Sequence, residues 1–157
     1  MKTNDLMSQN IIYANAENTL DEVCSLMRTY DIGFLPIKDK DDYIGVITDR
    51  DIVIRAISNN LEYDSSIDKI ITNEIISIDS DSDIEEALQI MSEYQIRRLL
   101  VTHKHKYIGI LSLSDILSVN HNFNVLNYIS KIFMPDDKTI TNNNIDLPQA
   151  EIDEFEL

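Results

Sequence analysis

Apolar and polar positions follow one pattern twice along the chain. Short apolar runs, Ile11-Ile12-Tyr13 and Ile75-Ile76, read as buried strands. After each comes a stretch with apolar residues at helical spacing: Leu20, Val23, Met27 and Tyr30 in one case, Ile84, Ala87, Leu88 and Met91 in the other. Thr19-x-x-Glu22 and Asp83-x-x-Glu86 open these helices with the spacing of a capping box, in which a side-chain oxygen accepts from first-turn amides. Phe34-Leu35-Pro36-Ile37 and Leu99-Leu100-Val101 then suit a second strand. Charged turns at 38–42 and 103–106 have hairpin length and lead into third strands at 43–47 and 107–111. A second helix starts at Asp49 or Leu113. The unit is β-α-β-β-α.

Shifting the sequence by 64 residues lays 3–53 on 67–117 without a gap. Identities fall at Ile11/Ile75, Ile12/Ile76, Glu22/Glu86, Met27/Met91, Tyr30/Tyr94, Ile32/Ile96, Leu35/Leu99, Tyr43/Tyr107, Ile44/Ile108, Gly45/Gly109, Asp51/Asp115 and Ile52/Ile116. The turn glycine and the order of elements are kept as well, so the chain is an internal duplication. A unit of about 50 residues is marginal alone, and the two copies are expected to pack face to face as a pseudo-twofold pair. The fold class is mixed α/β (α+β). Residues 1–57 form the first repeat, 58–66 a polar linker and 67–119 the second repeat. Residues 120–134 add a C-terminal helix, apolar from Phe123 to Phe133 and stopped by Pro135, before an acidic flexible tail over 135–157.

The chain has 157 residues, 43% hydrophobic, which suits a globular domain with a real core. Its formal charge of −15 argues against nucleic acid, whose phosphates need a basic face, yet leaves room for a small anion held by a few placed cations. The tail holds seven acids against Lys138, a balance of −6. Its end, Ile152-Asp153-Glu154-Phe155-Glu156-Leu157, alternates apolar and acidic residues and reads either as a solubilising end or as a partner-docking segment. No run approaches the roughly 20 apolar residues of a membrane span, and the start is polar. Cys24 is the single cysteine, so no intrachain disulfide forms and a cytoplasmic location is expected.

Each third strand runs into a short signature, Gly45-Val46-Ile47-Thr48-Asp49-Arg50-Asp51 and Gly109-Ile110-Leu111-Ser112-Leu113-Ser114-Asp115. The strand ends at a hydroxyl, a helix begins there with free amides, and an Asp follows one turn in. Such a mouth suits a ribose diol, since a carboxylate accepts both its hydrogens. The same spacing also describes a capping box with Asp in place of Glu, and spacing alone leaves both readings standing. Arg97-Arg98, at a helix-to-strand handover, offers guanidinium for phosphate or simply for a surface ion pair. The aligned first-half residues are Gly33 and Phe34, so any two clefts are unequal. Arg55, farther along the helix, reads as a surface residue. His103 and His105 lack a third ligand nearby in sequence, and no metal site is expected. No nucleophile elbow, phosphate loop or His-carboxylate pair appears, which points away from an enzyme.

The chain resembles a tandem pair of CBS repeats, a Bateman module, of the small stand-alone kind. The resemblance rests on Asn4-Asp5-Leu6-Met7, the helix from Leu20 to Tyr30, Gly33-Phe34-Leu35-Pro36-Ile37, the run from Ile44 to Val53, Gln95-Ile96-Arg97-Arg98-Leu99-Leu100-Val101 and Ile108-Gly109-Ile110-Leu111-Ser112. It implies two clefts between the repeats, with Thr48 and Asp51, and Ser112 and Asp115, holding ribose. Arg50, Arg97 and Arg98 are then phosphate partners, and Ile12, Ile76 and Phe34 candidate walls for a base, with Ile11 and Ile75 as plain core. The implied function is a regulatory sensor of adenosine nucleotides (AMP, ADP, ATP or a related adenosyl compound), needing no cofactor, forming a homodimer and acting on another, unidentified protein. A cyclic di-AMP receptor and a ligand-free interaction module are the alternatives.

Overall fold

The computed structural model describes residues 1–119 and 123–134. The tail at 135–157, its docking segment and the stop at Pro135 lie outside the described residues. The first half runs from a short helix α1 (Thr3–Leu6) through strand β1 (Ala14–Asn15), helix α2 (Leu20–Tyr30), and the hairpin β2 (Phe34–Asp39) and β3 (Asp42–Thr48). A helical segment follows, α3 (Asp49–Asp51), continued by a π turn at Ile52–Ala56 and a 3-10 turn at Ile57–Asn59. The second half repeats the order: a 3-10 turn (Ile67–Lys69), β4 (Ser77–Asp79), α4 (Ile84–Tyr94), β5 (Arg98–His103), β6 (Lys106–Ser112) and α5 (Leu113–Val119). Helix α6 (Phe123–Phe133) then packs on α4.

Each half holds a three-stranded sheet, β1-β2-β3 or β4-β5-β6, its first pair parallel and its second antiparallel. The registers match across the duplication: Phe34 opposes Thr48 as Arg98 opposes Ser112, and both hairpins shift register one step before their turns. The turns are two residues long, with Lys40 and then Lys104 and His105 at positive φ.

Several expectations need correction. Ile11-Ile12-Tyr13 and Ile75-Ile76 precede the strands they were expected to form, since pairing with β2 and β5 begins only at Ala14 and Ser77. Ile12 and Ile76 pack against the two cores, while the half-buried Ile11 and Ile75 belong to neither core cluster. Thr19 caps α2 as its spacing predicts, with the amide of Thr19 donating to Glu22 at 2.9 Å. Asp83 makes no side-chain cap and pairs with Lys2 at 3.1 Å, because a charged residue from the start of the chain lies beside it. The linker is docked: the amides of Leu20 and Asp21 donate to the carbonyls of Ser65 and Tyr63, and Leu61 packs on the first core.

The halves exchange their leading segments. Ser8 pairs with Ile110 on β6, and Thr72, its equivalent in the other half, pairs with Val46 on β3. Lys2 bridges to Asp83, and Ser66 to Thr19, in the same relation. Leu6 and Met7 therefore pack into the second core (Leu88, Met91, Leu99, Leu111, Ile116), and Ile67 and Ile70 into the first (Val23, Leu35, Ile37, Ile47). Gly45 and Gly109 admit these segments. A Cβ at Gly45 would lie 2.6 Å from the carbonyl oxygen of Thr72, and one at Gly109 would lie 2.7 Å from that of Ser8. Equivalent residues also meet at the seam. Tyr43 and Tyr107 pack edge to face at 5.4 Å, and the Arg98 guanidinium lies 5.9 Å from the Phe34 ring centre. Self-contact of equivalent positions is what a twofold axis between the repeats requires.

Candidate functional site

A cavity of about 410 Å³ opens between the halves, beside that seam. Its floor is built where β3 ends and α3 begins. Thr48 has extended backbone and caps the helix: its hydroxyl accepts from the Asp51 amide at 3.2 Å, and its own amide donates to Asp51 Oδ2 at 2.9 Å. The Thr48 hydroxyl also donates to the same oxygen at 2.6 Å. The other oxygen, Asp51 Oδ1, lies 3.4 Å from Arg55 Nε. Arg55 is thus more than the surface residue its position suggested, since its Nη1 also donates to Thr72 Oγ1 at 3.0 Å and to the Ile70 carbonyl at 3.3 Å. It ties the signature Asp to the exchanged segment. The Asp49 carboxylate lies where a side chain at Gly33 would begin, and the Asp49 amide donates to the Gly33 carbonyl at 3.1 Å.

The second half supplies the other wall. Helix α4 ends with Gln95 in the left-handed region, which turns the chain so that Ile96, Arg97 and Arg98 face the cavity. Ile76 and Val46 add apolar surface. Three guanidiniums (Arg50, Arg97, Arg98) and three carboxylates (Asp49, Asp51, Glu74) line the space, with Phe34 beneath Arg98. Among the described residues, the lining holds no histidine, cysteine or lysine. Chemically, the cavity offers paired hydroxyl and carboxylate acceptors, guanidinium donors and an apolar wall, the complement of a sugar, an anion and a flat ring.

Of the residues singled out by sequence, Phe34, Thr48, Arg50, Asp51, Ile76, Arg97 and Arg98 line this one cavity. Ile12, Ser112 and Asp115 do not. They occupy the equivalent positions one repeat away. There Ser112 and Asp115 reproduce the same geometry, with amide to Oδ2 at 2.8 Å and hydroxyl to Oδ2 at 2.6 Å, and Ser112 Oγ lies 2.7 Å from Ser114 Oγ. The positions of Arg50, Arg97 and Arg98 are taken there by Ser114, Gly33 and Phe34, and that of Arg55 by Val119. Sequence reasoning missed Thr72 and Glu74, because nothing local announces that a segment of the second repeat edges the first sheet. It also missed Asp79, Asp81 and His103, whose donor atoms lie within 4.8 Å of one another on the surface, as residues distant in sequence. His103 Nδ1 sits 3.0 Å from Ser80 Oγ.

Outside the cavity, burial raises the Tyr43 phenol at the seam, helped by Tyr13. Burial, followed by the Asp21 carboxylate, raises the Cys24 thiol, a half-buried side chain packed on the first core. No described helix is long and apolar enough to cross a membrane.

Comparison with known proteins adds to this geometry. The family description "CBS domain" matches residues 4–57 and again 67–122. The chain is 31% identical over 133 residues to Hypoxic response protein 1 of Mycobacterium tuberculosis, covering 83% of this chain and 93% of that one. A conserved CBS domain protein of unknown function from Thermoplasma acidophilum shares the fold, with a TM-score of 0.76, 22% identity, and coverage of 87% of this chain and 78% of that one. The CBS domain pair of protein MJ0100, solved in complex with 5′-methylthioadenosine and S-adenosyl-L-methionine, superposes with a TM-score of 0.68 at 26% identity, covering 76% and 94% of the two chains.

Proposed function

The chain belongs to the CBS domain family as a tandem pair, and from that premise we propose that it is a regulatory module. In this reading it binds an adenosine nucleotide in the described cavity and reports occupancy to a partner protein. The observation that carries the reading is the convergence of Thr48, Asp51, Arg50, Arg97, Arg98, Ile76 and Phe34 on one cavity. The similar MJ0100 pair, which holds adenosyl compounds, supports the ligand class.

Roles follow from chemistry. Asp51 Oδ2 is committed to the cap, while Oδ1 has only the long contact to Arg55, which a ribose hydroxyl displaces or shares. Thr48 adds a hydroxyl to the same mouth. Arg50, Arg97 and Arg98 meet phosphate, where guanidinium forms paired charge-assisted bonds. Ile76 and Phe34 flank the base. Ser112, Asp115 and Ile12 form a second, weaker site without that cationic set. The module performs no reaction, needs no cofactor and works by shifting an equilibrium between arrangements in proportion to its differential affinity. It acts as a homodimer, supported by an exposed apolar stripe on the segment after Asp51: Val53, Ile54 and Ile57 are 57%, 49% and 61% exposed.

One observation favours a second reading. Both signature carboxylates are engaged as caps, as an interaction module with an empty cleft would also have them. A thermal-shift panel of AMP, ADP, ATP and cyclic di-AMP separates the two. A ligand at 100 times its Kd stabilises by about 2.7 kcal/mol, or about 5–10 °C for a chain of this size. A midpoint unmoved by every compound overturns the sensor in favour of the interaction module.

A further inference from the structure

Helix α6 has no counterpart in the first half, and its end reaches Arg97, which lines the cavity. It buries Val125 and Ile132 in the second core and runs along α4. Its last residue, Phe133, lies beneath Arg97, with the guanidinium carbon 5.7 Å from the ring centre. Arg97 lines the cavity in that same conformation. A groove between α4 and α6, lined by Glu93, Tyr128, Lys131 and Met134 among others, shares Gln95 with the cavity wall. Phe133 is 55% exposed, so its ring is spent less on the core than on this contact.

We propose that Phe133 is a positioning residue for phosphate recognition: its ring holds the Arg97 guanidinium at the cavity, and α6 is thereby coupled to ligands that carry phosphate. The inference rests on the nucleotide-site reading above. A guanidinium lying over a ring keeps its N–H groups in its own plane and available to an anion, so ring contact and phosphate contact are compatible. A stacked arginine has already given up rotamer freedom, and the phosphate then need not order it. Coupling of this kind is reciprocal. A phosphate on Arg97 steadies the last turn of α6, whereas a phosphate-free nucleoside in the same cavity does not. Because the first half has no counterpart of α6, the duplicated site gains a one-sided route from ligand chemistry to the last turn of that helix.

The test compares AMP with adenosine by titration calorimetry on the full chain, as wild type, Phe133→Leu and Phe133→Tyr. Removing the ring is expected to weaken AMP about two- to fivefold, the ratio matching an exposed cation–π contact. Adenosine affinity stays unchanged, and Phe133→Tyr restores AMP binding. Hydrogen exchange of residues 130–134 is expected to slow with AMP and not with adenosine. Equal effects of Phe133→Leu on both ligands, no effect on either, or equal protection by both overturns the inference while leaving the site in place. Failure of wild type to bind either compound overturns the site reading and this inference with it.

Discussion

Thr48 with Asp51 and Ser112 with Asp115 build the same cap twice, and the proposed ribose contact falls on those capping residues. The two boxes agree within about 0.1 Å at each shared bond, 2.9 and 2.8 Å for the amide and 2.6 Å for the hydroxyl. Asp51→Ala removes one side of the box and the carboxylate that faces Arg55. The expected loss is roughly 1 kcal/mol of stability, read by denaturant unfolding. A loss of AMP binding far beyond that small change would separate ligand contact from scaffold. Gly45→Ala tests the close approach of the exchanged segment. With the Thr72 carbonyl 2.6 Å from the new Cβ, a cost of about 1–3 kcal/mol is expected in the same assay. Glu22 offers a pH test. The Thr19 amide, then the Asn18 side chain, lowers its carboxyl from the ordinary value of 4.5, so the unfolded chain holds that proton more readily than the folded one. The stability it contributes is present above that ordinary value and is lost as pH falls through its folded value. Glu22→Gln should flatten the acid limb of stability against pH in that window, and an unchanged limb would deny the cap its charge.

At the scale of elements, the reciprocal exchange is what binds the repeats together. Deleting residues 1–8 strips Leu6 and Met7 from the second core and the Ser8 bridge from β6. About 2–3 kcal/mol should be lost for two partly buried apolar side chains, a fall in Tm of roughly 4–12 °C. An unchanged melting curve would mean the segment is merely laid on the surface. This exchange was not legible in the sequence, because no local pattern says which sheet a segment joins. Helix α2 was legible to its last residue, since Thr19 and Glu22 mark its start and the apolar period fixes its face. The β2–β3 hairpin was legible as a hairpin, though its strands run on to Asp39 and from Asp42 into what reads as a charged turn. The first strands were misplaced, for Ile11-Ile12 advertises burial while pairing waits for Ala14 to reach Ile37. Asp83 misled for a tertiary reason, as Lys2 arrives from 81 residues earlier to claim its charge. Likewise the candidate site was legible in its signature and its arginines, which the resemblance to CBS repeats picks out where spacing alone left both readings standing, and illegible in Thr72 and Glu74, which come to it only through the exchange.

For the whole molecule, duplication followed by divergence gives one cavity lined by three arginines and, at the equivalent signature, none of those arginines. Arg50, Arg97 and Arg98 line one cavity with Thr48 and Asp51, while the 64-residue repeat aligns Ser114, Gly33 and Phe34 with them. The proposed homodimer gathers the exposed Val53, Ile54 and Ile57. Ile57→Asp should shift the sedimenting species from dimer to monomer, whereas a dimer indifferent to it would place the contact elsewhere. The central claim is that one nucleotide sits in the first cleft. Titration calorimetry of AMP into wild type, Asp51→Ala and Asp115→Ala tests it most directly. The account predicts one tight site per chain, lost in Asp51→Ala and kept in Asp115→Ala; tight binding that survives Asp51→Ala would contradict it.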